Sequence, residues 1–431
     1  MSKLTEVGII DTPLVGLSSD GASVMVGATN GVATKLRTAF PNMVATHCAA
    51  HRLNLAASDV ASSVSEAAED LACRLFGFFS RSSSRISKLT DTASQLDVKF
   101  LRLARPVDTR WLSLGEALRT IVRSYPALVA YLATETSSTA SRIHAAMSRM
   151  PIKFAIFYVA DVTQLLNDLS MLLQASDVSI LDVQQHIEAT CATLDSLSTT
   201  DLEKPATSTN VRAFVKEYFP AAIAPDERER RLSELAPWIK ECNSYAAKVA
   251  IEIRARLPDE ASGVLRAFEC LFPSAMLTSS STRMEFGLDS FEVLCSTFFL
   301  LLPESEGRIE EYQRYKTYVL NHWPQLAPAD FLRAAMSNSF VRGGCPVVHK
   351  LLIVVASMPM TSVECERYFS VLKRIKTDSR NRLSVKASAA LMIAATDAVR
   401  VSDFNPESCV REWLKRKKRQ RDAELEALDA L

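Results

Sequence analysis

Glycine and proline are scarce in this sequence, with 12 and 17 of them among 431 residues. Because these residues interrupt helices and strands, their scarcity favours a mainly helical fold. Apolar runs are also short. None approaches the roughly 20 residues that a membrane-spanning helix needs, and the first residues lack the apolar region of a signal peptide. We therefore expect a soluble, intracellular protein without a membrane partner.

An excess of charge of one sign is absent as well. The chain has 50 Lys and Arg residues against 49 Asp and Glu residues, a net charge of +1, so no global field attracts nucleic acid and any DNA contact must come from local clusters. The nine cysteines are an odd number and form no closely spaced pairs. This pattern is typical of a reducing compartment, where buried thiols act as small apolar side chains.

Residues 14–21 predict a strand that ends at an acidic side chain. The apolar run at 14–17 leads to Asp20, and Gly21 then breaks the pattern. A buried strand carries a carboxylate to the edge of a sheet in this way, and glycine permits the turn that follows. The next residues predict a helix at 30–40 and a second short strand at 44–46.

The segment that follows reads HCAAHRLNL and places His47, Cys48 and His51 within about one helical turn of each other. A zinc site is one interpretation, but a structural zinc site needs four ligands, and no second pair lies at a suitable spacing. The interpretation that we favour is a buried cysteine, with histidines that form hydrogen bonds near the Asp20 edge of the sheet.

Two more motifs lie further along the chain. Residues 108–113 read DTRWLS, and residues 359–370 read PMTSVECERYFS. The second motif continues into the basic segments LKRIK at 372–376 and RNRL at 380–383.

The C-terminal motif predicts an amphipathic helix. At helical spacing Cys365, Tyr368, Phe369 and Leu372 share one face, whereas Glu366 lies on the opposite face. Glu366 is therefore expected to point away from the apolar face.

Together these segments resemble the hAT superfamily of DNA transposases. Residues 20–25 are similar to the family pattern D-G-A-S-N-M, with Val24 in place of asparagine. The other matches are to C-x-x-H-x-L-N-L at 48–55, T-R-W-x-S at 109–113 and S-x-x-x-E-R-x-F-S at 362–370.

The resemblance implies a fold that is mainly α, with a remnant RNase H-like α/β core whose N- and C-terminal segments are interrupted by a large all-helical insertion. The expected domains are a partial core at 1–57, the insertion at 58–340, the C-terminal core and hAT dimerisation region at 341–402, and a basic tail helix at 403–431. Apolar periodicity independently predicts helices at 114–132 interrupted by Pro126, 152–173, 180–197, 226–256 bent around Pro237, and 308–322, with serine-rich residues 80–87 as a loop or helix end.

The resemblance also implies a catalytic site. Transposases of this type use three carboxylates to hold two divalent cations, Mg²⁺ or Mn²⁺, and Asp20 matches the second acid and Glu366 the third. The first acid belongs on a strand well before Asp20, but only 19 residues precede Asp20 and Asp11 reads as part of a turn. We therefore expect no certain cofactor and no cleavage by this chain as given, unless upstream sequence or another chain completes the site.

Local basic clusters are the candidate DNA contacts. The resemblance implies that Arg110 neutralises a phosphate and that Trp111 stacks on an extruded base, although a core position for the tryptophan remains open. A second cluster would track a DNA backbone, unless it is a solvated helix face: Lys373, Arg374, Lys376, Arg380 and Arg382. Residues 415–421, of which six of seven are basic, predict a nuclear localisation signal or a phosphate contact, unless they are a solvated helix end.

The resemblance further implies that the C-terminal region joins subunits into a homodimer or higher oligomer, through Tyr368, Phe369, Leu372, Leu383 and Leu391. We predict a nuclear, hAT transposase-derived protein that binds DNA and itself, takes no small-molecule substrate and is catalytically incomplete. Two other hypotheses remain open. One is an active DDE-type strand transferase completed by upstream sequence or another chain, and the other is a nuclear protein-interaction scaffold that does not bind DNA.

Overall fold

The computed structural model describes residues 13–60, 62–100, 102–106, 111–175, 180–204, 208–257, 262–278, 285–396, 406–407 and 409–415. Helices make up most of these residues, which confirms the mainly helical fold that the scarcity of glycine and proline predicted. Two short strands form a small sheet near the start of the chain.

The small sheet consists of β1 (Gly16–Ser19) and β2 (Val44–His47). The strands are parallel, with Gly16 opposite Val44 and Ser19 opposite His47. Helices α1 (Ser23–Val26) and α2 (Val32–Ala39) connect them, as a parallel pair requires a crossover. The predicted strand before Asp20, the helix at 30–40 and the strand at 44–46 are thus confirmed.

The helices that follow β2 surround a first hydrophobic core, because each carries an apolar stripe that must be buried against another element. They are α3 (Ala49–Ser58), α4 (Ser63–Phe79), α5 (Ser83–Gln95), α6 (Trp111–Arg123), α7 (Tyr125–Thr134), α8 (Ser138–Ser148), α9 (Met150–Leu173), α10 (Ile180–Leu197), α11 (Thr209–Tyr218) and α12 (Pro225–Arg256).

Helix α9 lies at the centre of this core. It packs against α4, α6 and α12, and its buried residues continue around the helix from Phe154 to Val162. By length and composition it is the one helix among the described residues that would suffice to cross a membrane, and 67% of its apolar window is buried inside the fold.

A second hydrophobic core is built mainly from later helices, and Val44 of β2 packs into it. Buried tyrosines contribute hydrogen bonds there, since the hydroxyl of Tyr315 donates to the carbonyl oxygen of Leu271 at 2.6 Å. The helices are α13 (Ser262–Ala267), α14 (Pro273–Thr278), α15 (Leu288–Thr297), α16 (Arg308–His322), α17 (Pro328–Ser337), α18 (Ser339–Gly344) and α19 (Pro346–Ala356), with 3-10 turns at Phe268–Leu271 and Phe299–Leu301.

The chain divides into two compact units, Met1–Ser362 and Val363–Leu431. The second unit contains α20 (Val363–Ile375) and α21 (Val385–Thr396), which pack against each other and are joined through a 3-10 turn at Asp378–Arg380. Residues 409–415 are also helical.

Candidate functional site

Asp20 lies at the edge of the two-stranded sheet, directly after β1, and its side chain is exposed. Its Oδ1 accepts a hydrogen bond from the amide of Ala22 at 3.1 Å, which is the turn geometry that aspartate favours. Gly21 between them has φ 78°, and a Cβ at this position would overlap the imidazole of His47. The turn after β1 therefore requires glycine both for its backbone conformation and for the close approach of His47.

The HCAAH segment at 47–51 joins β2 to the start of α3. His47 is the last residue of β2, Cys48 precedes α3 and His51 lies in its first turn. Cys48 is buried, with 1% of its surface exposed, and its amide donates to the carbonyl oxygen of Ser19 at 2.7 Å. Within the described ranges, no group of three or more His, Cys, Asp and Glu side chains is placed to hold a metal ion.

The same segment also binds the start of the C-terminal motif. The Sγ of Cys48 accepts a hydrogen bond from the amide of Ser362 at 3.3 Å, and the amide of Ala49 donates to the carbonyl oxygen of Met360 at 3.1 Å. The hydroxyl of Thr46 donates to the carbonyl oxygen of Pro359 at 3.0 Å. Two motifs that are far apart in the sequence therefore meet within the first unit.

A cleft of about 540 Å³ opens beside this segment. Thr46, His47 and Arg52 line it, together with residues from later parts of the chain that include Arg254 and Glu269. Burial raises the pKa of the Glu269 carboxyl. The cleft therefore presents charges of both signs and does not by itself select an anion or a cation.

Glu366, which matches the third acid of the family site, lies in the first turn of α20 and is exposed. Its neighbour Arg367 forms an ion pair with Glu364. Asp20 belongs to the first unit and Glu366 to the second. Each acid is accessible to solvent.

The apolar face of α20 is largely uncovered. Tyr368 is 41% exposed and Phe369 is 63% exposed, whereas the buried residues of this helix are Val363 and Val371. Large aromatic side chains gain much free energy when they are buried, and they lack this gain while they stay in water. This face therefore has the character of a contact surface for another molecule.

Exposed apolar side chains continue on α21. Leu391 is 37% exposed and Ile393 is 60% exposed, and Val385 at the start of the helix is 88% exposed. Leu383, just before the helix, is partly buried. Each of the two helices of the second unit thus carries uncovered apolar side chains, which together we call the C-terminal apolar surface: Tyr368, Phe369, Leu391 and Ile393.

The basic residues of the two segments that follow the C-terminal motif, 372–376 and 380–383, are all exposed. Within the part of the chain that the structure describes, no ion-pair partner accompanies any of them. They are Lys373, Arg374, Lys376, Arg380 and Arg382, and we call them the basic stripe.

The other predicted contact residues are only partly covered by the structure. Arg110 lies outside the described residues, and Trp111 is the first residue of α6. Of the basic segment at 415–421, Lys415 is the last described residue and is exposed. The predicted roles of these residues stay predictions.

Residues 319–397 match the hAT family C-terminal dimerisation region. The match supports membership of the hAT family. It spans the helices from the end of α16 to α21, and so it contains the basic stripe and the C-terminal apolar surface. The hAT match supports a transposase-derived protein that dimerises, as the C-terminal motif predicted.

Sequence reasoning missed one group of charged residues that the fold brings together. Arg74, Arg81, Arg85 and Arg142 line one pocket between the early helices. The spacing of Arg81 and Arg85 gave a weak signal, but Arg142 is distant in the sequence and only the packing of the helices places it there.

Proposed function

We propose that this chain is an hAT transposase-derived protein that self-associates through its C-terminal region, binds DNA in the nucleus and does not complete strand cleavage. The observation that carries the proposal is the uncovered apolar face of α20 and α21 inside the residues that match the hAT dimerisation region. The basic stripe beside it supplies the charge that a DNA contact needs.

Self-association follows from the chemistry of the C-terminal apolar surface. Interface cores are enriched in aromatic side chains, and a few residues carry most of the binding free energy. Tyr368 and Phe369 offer two neighbouring aromatic anchors. In a homodimer with two-fold symmetry the same surface would face its own copy.

DNA binding follows from the position of the basic stripe. The chain has a net charge of only +1, so attraction to phosphates depends on local groups of lysine and arginine. Exposed cations that lack ion-pair partners bind phosphates without first breaking an internal ion pair. A dimer would present two stripes, and simultaneous engagement of both would raise the overall affinity.

Strand cleavage by this family type needs three carboxylates around two divalent cations. Asp20 and Glu366 match two of the three acids, and both are exposed. Because Asp20 and Glu366 match only two of these three acids, we propose that this chain binds DNA without cleaving it. If the purified chain nicks or joins plasmid DNA with either cation, and Asp20→Ala abolishes this activity, the chain is an active transposase.

The decisive test of the proposed function measures DNA affinity over a series of salt concentrations. The full chain is titrated against a labelled duplex, beside the variant Lys373→Glu/Arg374→Glu/Lys376→Glu. The variant is expected to bind at least about tenfold more weakly, and its salt slope should fall by about one unit for each phosphate that the stripe no longer neutralises.

A matched control reverses three exposed lysines elsewhere, Lys240, Lys248 and Lys350. It changes the net charge by the same amount and is expected to bind nearly as the unmodified chain does. If both variants bind DNA equally weakly, the loss of affinity comes from the change in net charge and not from the basic stripe. No salt-dependent binding by the unmodified chain would favour the interaction scaffold.

A further inference from the structure

A pocket of about 460 Å³ lies between α4, α5 and α8 in the first unit. Every charged side chain that lines it is an arginine, and none of the described lining residues is acidic. We call it the arginine pocket: Arg74, Arg81, Arg85 and Arg142.

Arg85, a half-buried residue of this pocket, is oriented by two contacts with Phe78. Its guanidinium lies over the ring of Phe78, 4.1 Å from the ring centroid, and its Nη1 donates to the carbonyl oxygen of Phe78 at 3.0 Å. Stacking of this kind fixes the plane of the guanidinium and leaves its other N–H donors directed elsewhere. A ligand that accepts hydrogen bonds therefore meets a donor that is already ordered.

The other three arginines are exposed at the rim. Arg74 forms an ion pair with Asp70 at 2.8 Å, and both side chains are more than half exposed. Because solvent screens this pair, replacing Asp70 with another anion costs little free energy. Arg81 and Arg142 have no ion-pair partner in the described part of the chain. The pocket therefore keeps an excess of positive charge.

The start of α8 adds to this charge. Ser137 caps the helix by accepting from the amide of Ala140 at 3.2 Å, and Ser137 and Thr139 line the pocket. The first amides of a helix have no acceptor within the helix, and the positive end of its dipole favours a bound anion. The helix end strengthens the attraction that the four arginines already provide.

We propose that the arginine pocket binds phosphate groups of a DNA backbone, as a second contact besides the basic stripe. Guanidinium groups pair with phosphate oxygens through two parallel hydrogen bonds, which lysine does not do. The exposed rim and the open mouth suit a chain that passes across the pocket, because Arg81 and Arg142 can each hold a different phosphate. This assignment rests on the proposed DNA-binding function.

The first test uses chemical modification of single arginines by phenylglyoxal, read by mass spectrometry of the full chain. A duplex of mixed sequence is expected to protect Arg81 and Arg142, while exposed Arg342 in α18 serves as the reference. Inorganic phosphate is expected to protect them only at far higher phosphate concentration. If the duplex and inorganic phosphate protect these arginines equally at equal phosphate concentration, the pocket is a site for small phosphate ions and the assignment is overturned. The assignment also fails if the duplex protects Arg81 and Arg142 no better than Arg342.

The second test compares DNA affinity of Arg81→Glu/Arg142→Glu with that of the matched control Lys248→Glu/Lys350→Glu. All four residues are exposed, so folding should survive, and circular dichroism checks this. The arginine variant is expected to lower the salt slope by up to about two units, and the control to leave it unchanged. Equal slopes in the two variants would overturn the proposal.

The variant of the basic stripe separates the two proposals. If Arg81 and Arg142 remain protected by duplex in that variant, at a raised duplex concentration, the pocket binds DNA on its own. If the duplex binds the unmodified chain through the stripe and leaves both arginines fully reactive, the pocket proposal fails and the proposed function stands.

Discussion

The amide of Ser362 donates a hydrogen bond to the Sγ of Cys48 across 314 positions of sequence. Ser362 is the last residue of the first unit, and Cys48 follows the second strand of the sheet. The bond therefore joins the end of the sheet to the first residues of the C-terminal motif. Thr46 and Ala49 hold the same segment through Pro359 and Met360.

Cys48→Ala should destabilise the first unit by about 1–2 kcal/mol, since it removes a buried sulfur and leaves the Ser362 amide without its acceptor. Urea unfolding followed by tryptophan fluorescence measures this effect. The matched control is Cys409→Ala, because Cys409 is exposed, and its midpoint should not move. Equal midpoints for the two variants would show that the hydrogen bond between Cys48 and Ser362 contributes nothing.

Gly21→Ala should destabilise the sheet edge by about 1–3 kcal/mol. The backbone at Gly21 has φ 78°, which alanine adopts only with strain, and the added methyl would overlap His47. Gly343→Ala is the control, because a methyl group at Gly343 in α18 meets no atom within 4 Å. Thermal unfolding should separate the two variants, and a Gly21→Ala protein as stable as its control would refute the close packing.

Asp161 in α9 is a buried carboxylate that caps α11. Its oxygens accept from the amides of Asn210 at 3.0 Å and Val211 at 2.9 Å. Asp161→Ala should cost about 2 kcal/mol or more, because two amides at the start of α11 would be left without their acceptor. Asp168→Ala, an exposed position on the same helix, should cost much less. Similar destabilisation at both positions would rule out the capping role.

The buried carboxyl of Asp161 should also make the free energy of unfolding depend on pH. Burial raises the pKa of this carboxyl above its ordinary value of 3.8, so the folded state resists its ionisation more than the unfolded state does. The unmodified chain should therefore lose stability relative to Asp161→Asn as the pH rises from about 3.8 through the folded pKa. Urea midpoints across this range measure the difference, and a constant difference would contradict the raised pKa.

Some elements could be predicted from the sequence because local signals agreed. The helix Ile180–Leu197 and the helix Arg308–His322 have the predicted bounds, since apolar periodicity defines each over several turns. Pro126 separates α6 from α7 as expected, because Ser124 lies between them and proline stands near the start of the second helix.

Serine and proline signals also located the ends of helices. The serine-rich residues 80–87 contain the predicted loop and helix end, since α4 ends at Phe79 and α5 begins at Ser83, where Ser82 caps it by accepting from the amide of Arg85. The helix predicted at 226–256 is confirmed as Pro225–Arg256 with Pro237 inside it, and the predicted bend at Pro237 stays a prediction. Burial of Leu235 and Cys242 on either side helps to keep that helix continuous.

The residues of the candidate site also differ in whether the sequence could predict them. Asp20 at the end of a strand followed from the apolar run and Gly21, which are local features. The hydrogen bond between Cys48 and Ser362, like the approach of Arg142 to Arg81, arises only when distant helices and strands pack. Spacing along the chain carries no signal for such pairs.

The most direct measurement of the central claim is the mass of the full chain in solution, by sedimentation over a wide range of protein concentration. The unmodified chain should form dimers or higher oligomers, and Phe369→Asp should weaken the association at least about tenfold, because it places a charge in the core of the interface. Ser370→Asp, on the same helix and also exposed, should associate as the unmodified chain does. A chain that stays monomeric throughout, or equal association of the two variants, would contradict self-association through the C-terminal apolar surface.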